Sequence, residues 1–218
     1  MKKLLLVIFV FGFSSYFYSQ QTGTFKDERN GKIYSTVKIG DQVWFAENLN
    51  VDKFRNGDLI PEAKTAGEWS KAGDEGKPAW CYYNNDSVSG QKYGRLYNWY
   101  AVKDSRGLAP EGWRIPSKEE FETLTNALNK DGNALKAVGQ GSDDGKGTNS
   151  SGFSALLGGY RYYNSNFEDL DDFVYFWSST DGGSNLAYSM YLSADNSTID
   201  WSHDYGEEDG FNVRCLKE

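Results

Sequence analysis

Residues 107–124, GLAPEGWRIPSKEEFETL, constrain the fold more than any other stretch. Ser117 and Glu120 have the Ser-x-x-Glu spacing of a capping box, in which each side chain satisfies the other's backbone N–H. Glu119 and Glu120 also suit the positive end of a helix dipole. Phe121, Leu124 and Leu128 then repeat with the period of one helix face. Pro116 disfavours helical geometry at Ile115, so Trp113 to Ile115 should be extended. The expectation is a strand-like lead-in turning sharply into a helix, both fastened to one core.

Around this junction the pattern is mostly of short strands. Asn30-Gly31 is a hairpin signal of the type I′ kind, and Gly40-Asp41 marks a second tight turn with glycine first. Between them Ile33, Ser35, Val37 and Ile39 alternate on one strand face. A short helix is expected around Trp69. Another is expected over 93–104, where Leu96, Trp99, Tyr100 and Lys103 share helical spacing. The segment 79–86 reads as a buried strand carrying Cys81, and 153–218 as strands joined by polar turns. With no repeat and no linker, the expected architecture is a single α+β domain. It would have short antiparallel strands, two main helices and long loops.

Residues 1–20 have the layout of a secretory signal peptide: Lys2-Lys3, an apolar run from Leu4 to Phe13, then Ser14-Ser15 and Ser19-Gln20. The run is too short to span a bilayer, whose core is about 30 Å thick. The expected mature chain is 21–218, secreted or on the cell surface, with a membrane encountered only through the leader. An uncleaved anchor is the alternative. The whole chain carries a formal charge of −8, and loss of Lys2 and Lys3 makes the mature chain more acidic. That argues against nucleic acid and anionic membrane surfaces as partners.

An exported chain with two cysteines, Cys81 and Cys215, suggests a disulfide, with two buried free thiols as the alternative. His203 is the only histidine and stands between Asp200 and Asp204. A histidine beside a carboxylate can act as a general base, but no nucleophile motif accompanies it. The runs Asp143-Asp144, Glu168 to Asp172 and Glu207-Glu208-Asp209 could hold calcium through oxygen ligands. None has EF-hand spacing, so solvated loops are the plainer reading, and no cofactor is expected. Aromatic residues crowd the last third. Tyr160, Tyr162, Tyr175, Trp177 and Trp201, with Arg161 and His203, are the candidate ligand-binding set. Flat rings on an exposed face could stack on sugars or fill a partner's pocket. The alternation of Tyr175 and Trp177 also allows a core role.

Several stretches taken together resemble one known family. They are NGK through NL (30–49), FRNGD (54–58), KPAWCYYNND (77–86), YGRLYNWYAV (93–102), GTN and SGFSAL (147–156), GGYR (158–161), WSST (177–180) and the terminal VRC. The joint pattern resembles the Fibrobacter succinogenes major paralogous domain family of exported bacterial proteins, over about residues 22–218. WRIPSKEEFETL is also similar to a segment of formylglycine-generating enzyme-like domains. That likeness implies a C-type lectin-like fold whose two chain ends pair in one sheet. It does not carry their chemistry over. Those enzymes bind copper through a close cysteine pair, which is absent here, as are the calcium-dependent sugar-reading tripeptides of C-type lectins. The functional expectation is a non-catalytic binding or adhesion module for a glycan or a surface protein. The alternatives are an enzyme using His203 with Asp204 or an acidic loop, and a structural envelope component.

Overall fold

The computed structural model describes residues 20–218. The expected leader over residues 1–20 lies almost wholly outside them. In chain order the elements are β1 (Thr22–Lys26), β2 (Ile33–Ile39), β3 (Gln42–Phe45), α1 (Ala66–Asp74), β4 (Trp80–Cys81), α2 (Ser87–Tyr93), β5 (Leu96–Tyr97), α3 (Trp99–Val102), β6 (Trp113–Arg114), α4 (Lys118–Ala127) and α5 (Gly132–Leu135). They continue with β7 (Gly158–Arg161), β8 (Phe167–Leu170), β9 (Phe173–Gly183), β10 (Leu186–Ser193), β11 (Ile199–Ser202) and β12 (Leu216–Lys217). Among the described residues no helix is long and apolar enough to cross a membrane.

One sheet has the order β1-β2-β3-β12-β6, so the C-terminal strand lies between the N-terminal meander and the strand that precedes α4. A second has the order β11-β10-β9-β7-β8, and β4 pairs with β5 alone. The first hairpin is longer than expected: Asp27 accepts from the N–H of both Asn30 and Gly31, and Gly31 has positive φ while Asn30 does not. The second is the expected glycine-first turn, with Gly40 at φ 58° and Ile39 paired to Gln42.

The expected capping box closes, and a second one starts α1. Ser117 and Glu120 start α4, and Thr65 and Glu68 start α1 around the buried Trp69. Trp113 lies on a strand as expected. It packs against Phe45 at 4.3 Å in the larger core, whereas Phe121 and Leu124 of α4 belong to a second cluster with Trp44, Phe176 and Met190. The junction therefore joins two cores rather than one.

The expected α+β balance with two main helices is not what the chain adopts. Strand makes up 32% and helix 20% across three sheets, and the five α-helices are short, so the fold is mainly β. No specific C-type lectin fold is shown, and that expectation is withdrawn. The helix expected over 93–104 is the clearest reason. Gly94 at φ 79° ends α2, Leu96 pairs with Cys81 on β4, and the Asn98 side chain caps only a four-residue α3. Local hydrogen bonding by Asn and the freedom of Gly override the helical spacing.

No disulfide forms: Cys81 and Cys215 are both free and buried. Cys81 packs in a small cluster with Trp69, Ala79 and Leu96, while Cys215 belongs to the main core. Burial pushes both thiols up to about 12. Arginine forks take over the stapling of loops. Arg29 donates to Lys53 O and Leu108 O, Arg55 to Ala109 O and Trp113 O, and Arg161 to Ala63 O and Thr65 O. A planar guanidinium can bond several carbonyls in fixed geometry, which a lysine cannot.

Candidate binding cleft

The turn after β11, Tyr205-Gly206-Glu207-Glu208-Asp209-Gly210, stands at one wall of a broad opening in the surface. Asp209 Oδ2 accepts from Gly206 N at 2.9 Å and Asp209 N donates to Gly206 O, closing the turn on itself. The three consecutive acids then meet three different surroundings. Glu207 is buried and bonds Lys103 Nζ through both carboxylate oxygens, at 2.8 and 2.6 Å. Glu208 is half-buried and has no ion-pair partner among the described residues. Asp209 is fully buried, and among the described residues its Oδ1 has no hydrogen-bond partner.

Lys103 lies over the rings of Trp99 and Tyr100, at 4.8 and 5.0 Å. The Tyr100 hydroxyl is held above its usual range by burial, then by Glu208, Glu207 and Asp74. The resulting open cleft has a volume of about 1040 Å³, with walls that include Asp74, Tyr100, Lys103, Tyr163, Asn185 and Glu208. Tyr163 is 51% exposed, and its ring rests 4.3 Å from that of Tyr162. Such a mixture of flat rings, amides and carboxylates can stack on a polar ligand and hydrogen-bond it. Among the described residues, no group of three His, Cys, Asp or Glu side chains is placed to hold a metal ion.

Burial raises the Asp209 carboxyl to about 7, with Glu208 and Glu168 acting in the same direction and the Tyr163 and Gly206 amides opposing it. An unfolded aspartate titrates near 3.9. Between about pH 4 and 7 the native chain therefore holds a proton that the unfolded chain has lost, so this group's contribution to stability falls as pH rises through that window. Asp209→Asn is expected to remove the penalty, on the order of 4 kcal/mol at pH 8 and nearly nothing at pH 4. Urea midpoints of wild type and variant across pH 4–8 measure it, and parallel curves would refute it.

The candidate set from the sequence is not assembled into one exposed face. Tyr160, Tyr175 and Trp177 are buried in the main core, and Arg161 is 1% exposed between Trp69 and Phe167, at 4.8 Å from each. Sheet register explains this. Asp200 opposes Tyr191, Tyr191 opposes Tyr175, and Tyr160 opposes Glu168, so a row of tyrosines crosses the second sheet with a carboxylate at each end. Phe211 and Tyr205 cover its centre, at 4.8 and 5.2 Å from Tyr175. Tyr162 is half-exposed and reaches the cleft region through Tyr163. Trp201 opposes Met190 on β10 and packs towards Phe121 at 6.3 Å. His203 is exposed, with Asp204 at 3.8 Å and the Tyr188 ring at 5.5 Å.

The cleft residues Asp74, Tyr100, Lys103, Asn185 and Glu208 are not among that set. A sequence signal near them is the acidic run 207–209, whose plainer reading is a solvated loop.

The fold and cleft define a β-rich module whose long loops are stapled by arginines and which opens one broad polar depression. The profile of the Fibrobacter succinogenes major domain matches residues 37–217, and the chain belongs to that family. No curated protein and no solved structure matches the chain.

Proposed function

We propose that this protein is an exported, non-catalytic binding module that takes a neutral glycan in the cleft between α1, α3 and the 205–210 turn. The observation that carries the reading is Tyr163, a half-exposed ring lining an opening walled by amides, hydroxyls and carboxylates. A ring face and hydrogen-bonding groups around one depression suit a sugar, which offers C–H faces and hydroxyls. Asp74 and Glu208 disfavour acidic glycans by like-charge repulsion. An enzymatic reading has less support: His203 is solvent-exposed and, among the described residues, has only the Asp204 carboxylate within ion-pair reach. Export rests on the composition of residues 1–20.

Affinity electrophoresis through gels containing neutral polysaccharides tests the proposal. Retardation of the wild type by at least one of them is expected. Tyr163→Ala should weaken it by about 2 kcal/mol, roughly thirtyfold in Kd, as truncation of an aromatic anchor does. The absence of retardation by every neutral polysaccharide, or retardation unchanged in Tyr163→Ala, would refute it.

A further inference from the structure

A second depression, sharing no residue with the cleft, has the opposite electrostatic character. Its volume is about 200 Å³, and Lys32, Glu47, Asn48, Gln91, Lys92 and Arg214 line it. Three cations meet one carboxylate there, in a chain whose total charge is −8. The carboxylate is already engaged: Glu47 accepts from Lys32 Nζ at 2.8 Å and from Ser35 N at 2.9 Å. Among the described residues Lys92 Nζ donates to the Tyr93 hydroxyl alone, at 2.6 Å, and that hydroxyl donates to Asp171 Oδ1 at 3.2 Å.

Arg214 makes the site unusual. It is 1% exposed, yet none of its acceptors is a carboxylate. Nε donates to Asn48 Oδ1 at 2.7 Å, Nη1 to Phe45 O and Phe153 O, and Nη2 to Ser154 O at 3.3 Å. A guanidinium has five N–H groups, so one Nη2 hydrogen is left over at a residue that lines the depression. The rings of Phe153 and Phe176 lie 4.4 and 5.4 Å from the guanidinium carbon and supply only weak compensation. A buried cation whose direct acceptors are all neutral, with Glu47 acting on it only from a distance, is costly, and an anion entering from solvent would offset that cost.

We infer that this depression binds a single small oxyanion, a carboxylate or phosphate group, with Arg214 at its floor and Lys32 and Lys92 at its rim. Planar guanidinium and ammonium donors around one point suit such oxygens. Size sets the limit. The volume lies below the roughly 300–1,000 Å³ of ordinary small-molecule sites, so one charged group fits and a polymer does not. The site is independent of the glycan reading of the cleft.

Isothermal titration of the purified protein with sodium phosphate, and separately with sodium acetate, at ionic strength held constant with chloride, tests this. Saturable binding of at least one is expected, and the arm that saturates identifies the phosphate or the carboxylate as the source. Lys32→Gln combined with Lys92→Gln changes only rim side chains and should weaken that binding by about tenfold or more. Arg214 itself is left in place because its replacement threatens folding. Absence of saturable binding in both arms, or equal affinity in wild type and double variant, would overturn the inference.

Discussion

Trp177→Ala is expected to cost the protein about 4–6 kcal/mol, a large part of the roughly 5–15 kcal/mol that holds a domain folded. The indole is 0% exposed and lies 4.2 Å from the Phe211 ring. Truncating a buried tryptophan removes its transfer energy and leaves a cavity that the surrounding sheet can only partly close, together about 3–5 kcal/mol. The indole Nε1 also donates to Tyr97 O at 2.8 Å. That carbonyl keeps a second donor, Phe211 N at 3.1 Å, so the lost hydrogen bond adds only about 1 kcal/mol.

Trp201→Ala is the control. Trp201 is half-buried, and its loss should cost about 1 kcal/mol, within the common range for point mutants. Guanidinium midpoints of the two variants measure the difference. At 2–4 °C per kcal/mol for a chain of about 150–250 residues, Trp177→Ala should also melt roughly 10–20 °C below wild type. Equal losses in the two variants would mean that Trp177 is not a core residue. The consequence reaches function: loss of ligand binding in Trp177→Ala reports unfolding, whereas Tyr163→Ala tests the cleft.

The contrast between Trp177 and Trp201 marks what the sequence can show. Signals completed within a few residues are legible. The Ser117–Glu120 box and the Gly40 turn each depend on a few neighbouring positions, and both form. Alternation places Tyr175 and Trp177 on one strand face, but the cover on that face comes from Phe211 and Tyr205, about thirty residues later. An even count of cysteines likewise says nothing of distance, and Cys81 and Cys215 lie in separate clusters. The cleft is the least legible part. Glu207, Glu208 and Asp209 look alike as a run, yet one is paired to a lysine 104 positions away, one is half-exposed and one is buried with a raised carboxyl. Only the fold separates them.

Arg214→Met is expected to destabilise by about 4 kcal/mol, for a reason that hydrophobic bookkeeping misses. Replacing a buried ion pair by apolar groups of similar volume is often neutral or even stabilising, because both charges leave together. At Arg214 only the cation would leave. Asn48 Oδ1, Phe45 O, Phe153 O and Ser154 O would remain, three of them where the bonds to Arg214 are buried. Each acceptor stranded from solvent costs about 1–3 kcal/mol, which exceeds what a methionine gains by packing beside Phe153 and Phe176. Arg214→Lys should recover little, since one ammonium cannot reach acceptors arranged around a fork. Arg106→Met is the surface comparison. Its guanidinium is partly exposed and paired with Asp104 at 2.8 Å, so its loss should cost under about 1 kcal/mol. Urea midpoints of the three variants, taken in chloride without added phosphate or carboxylate, rank them. A loss of under about 1 kcal/mol for Arg214→Met would mean that water reaches the stranded carbonyls, and that the staple between the strand ending at Phe45 and the loop at Phe153 is dispensable.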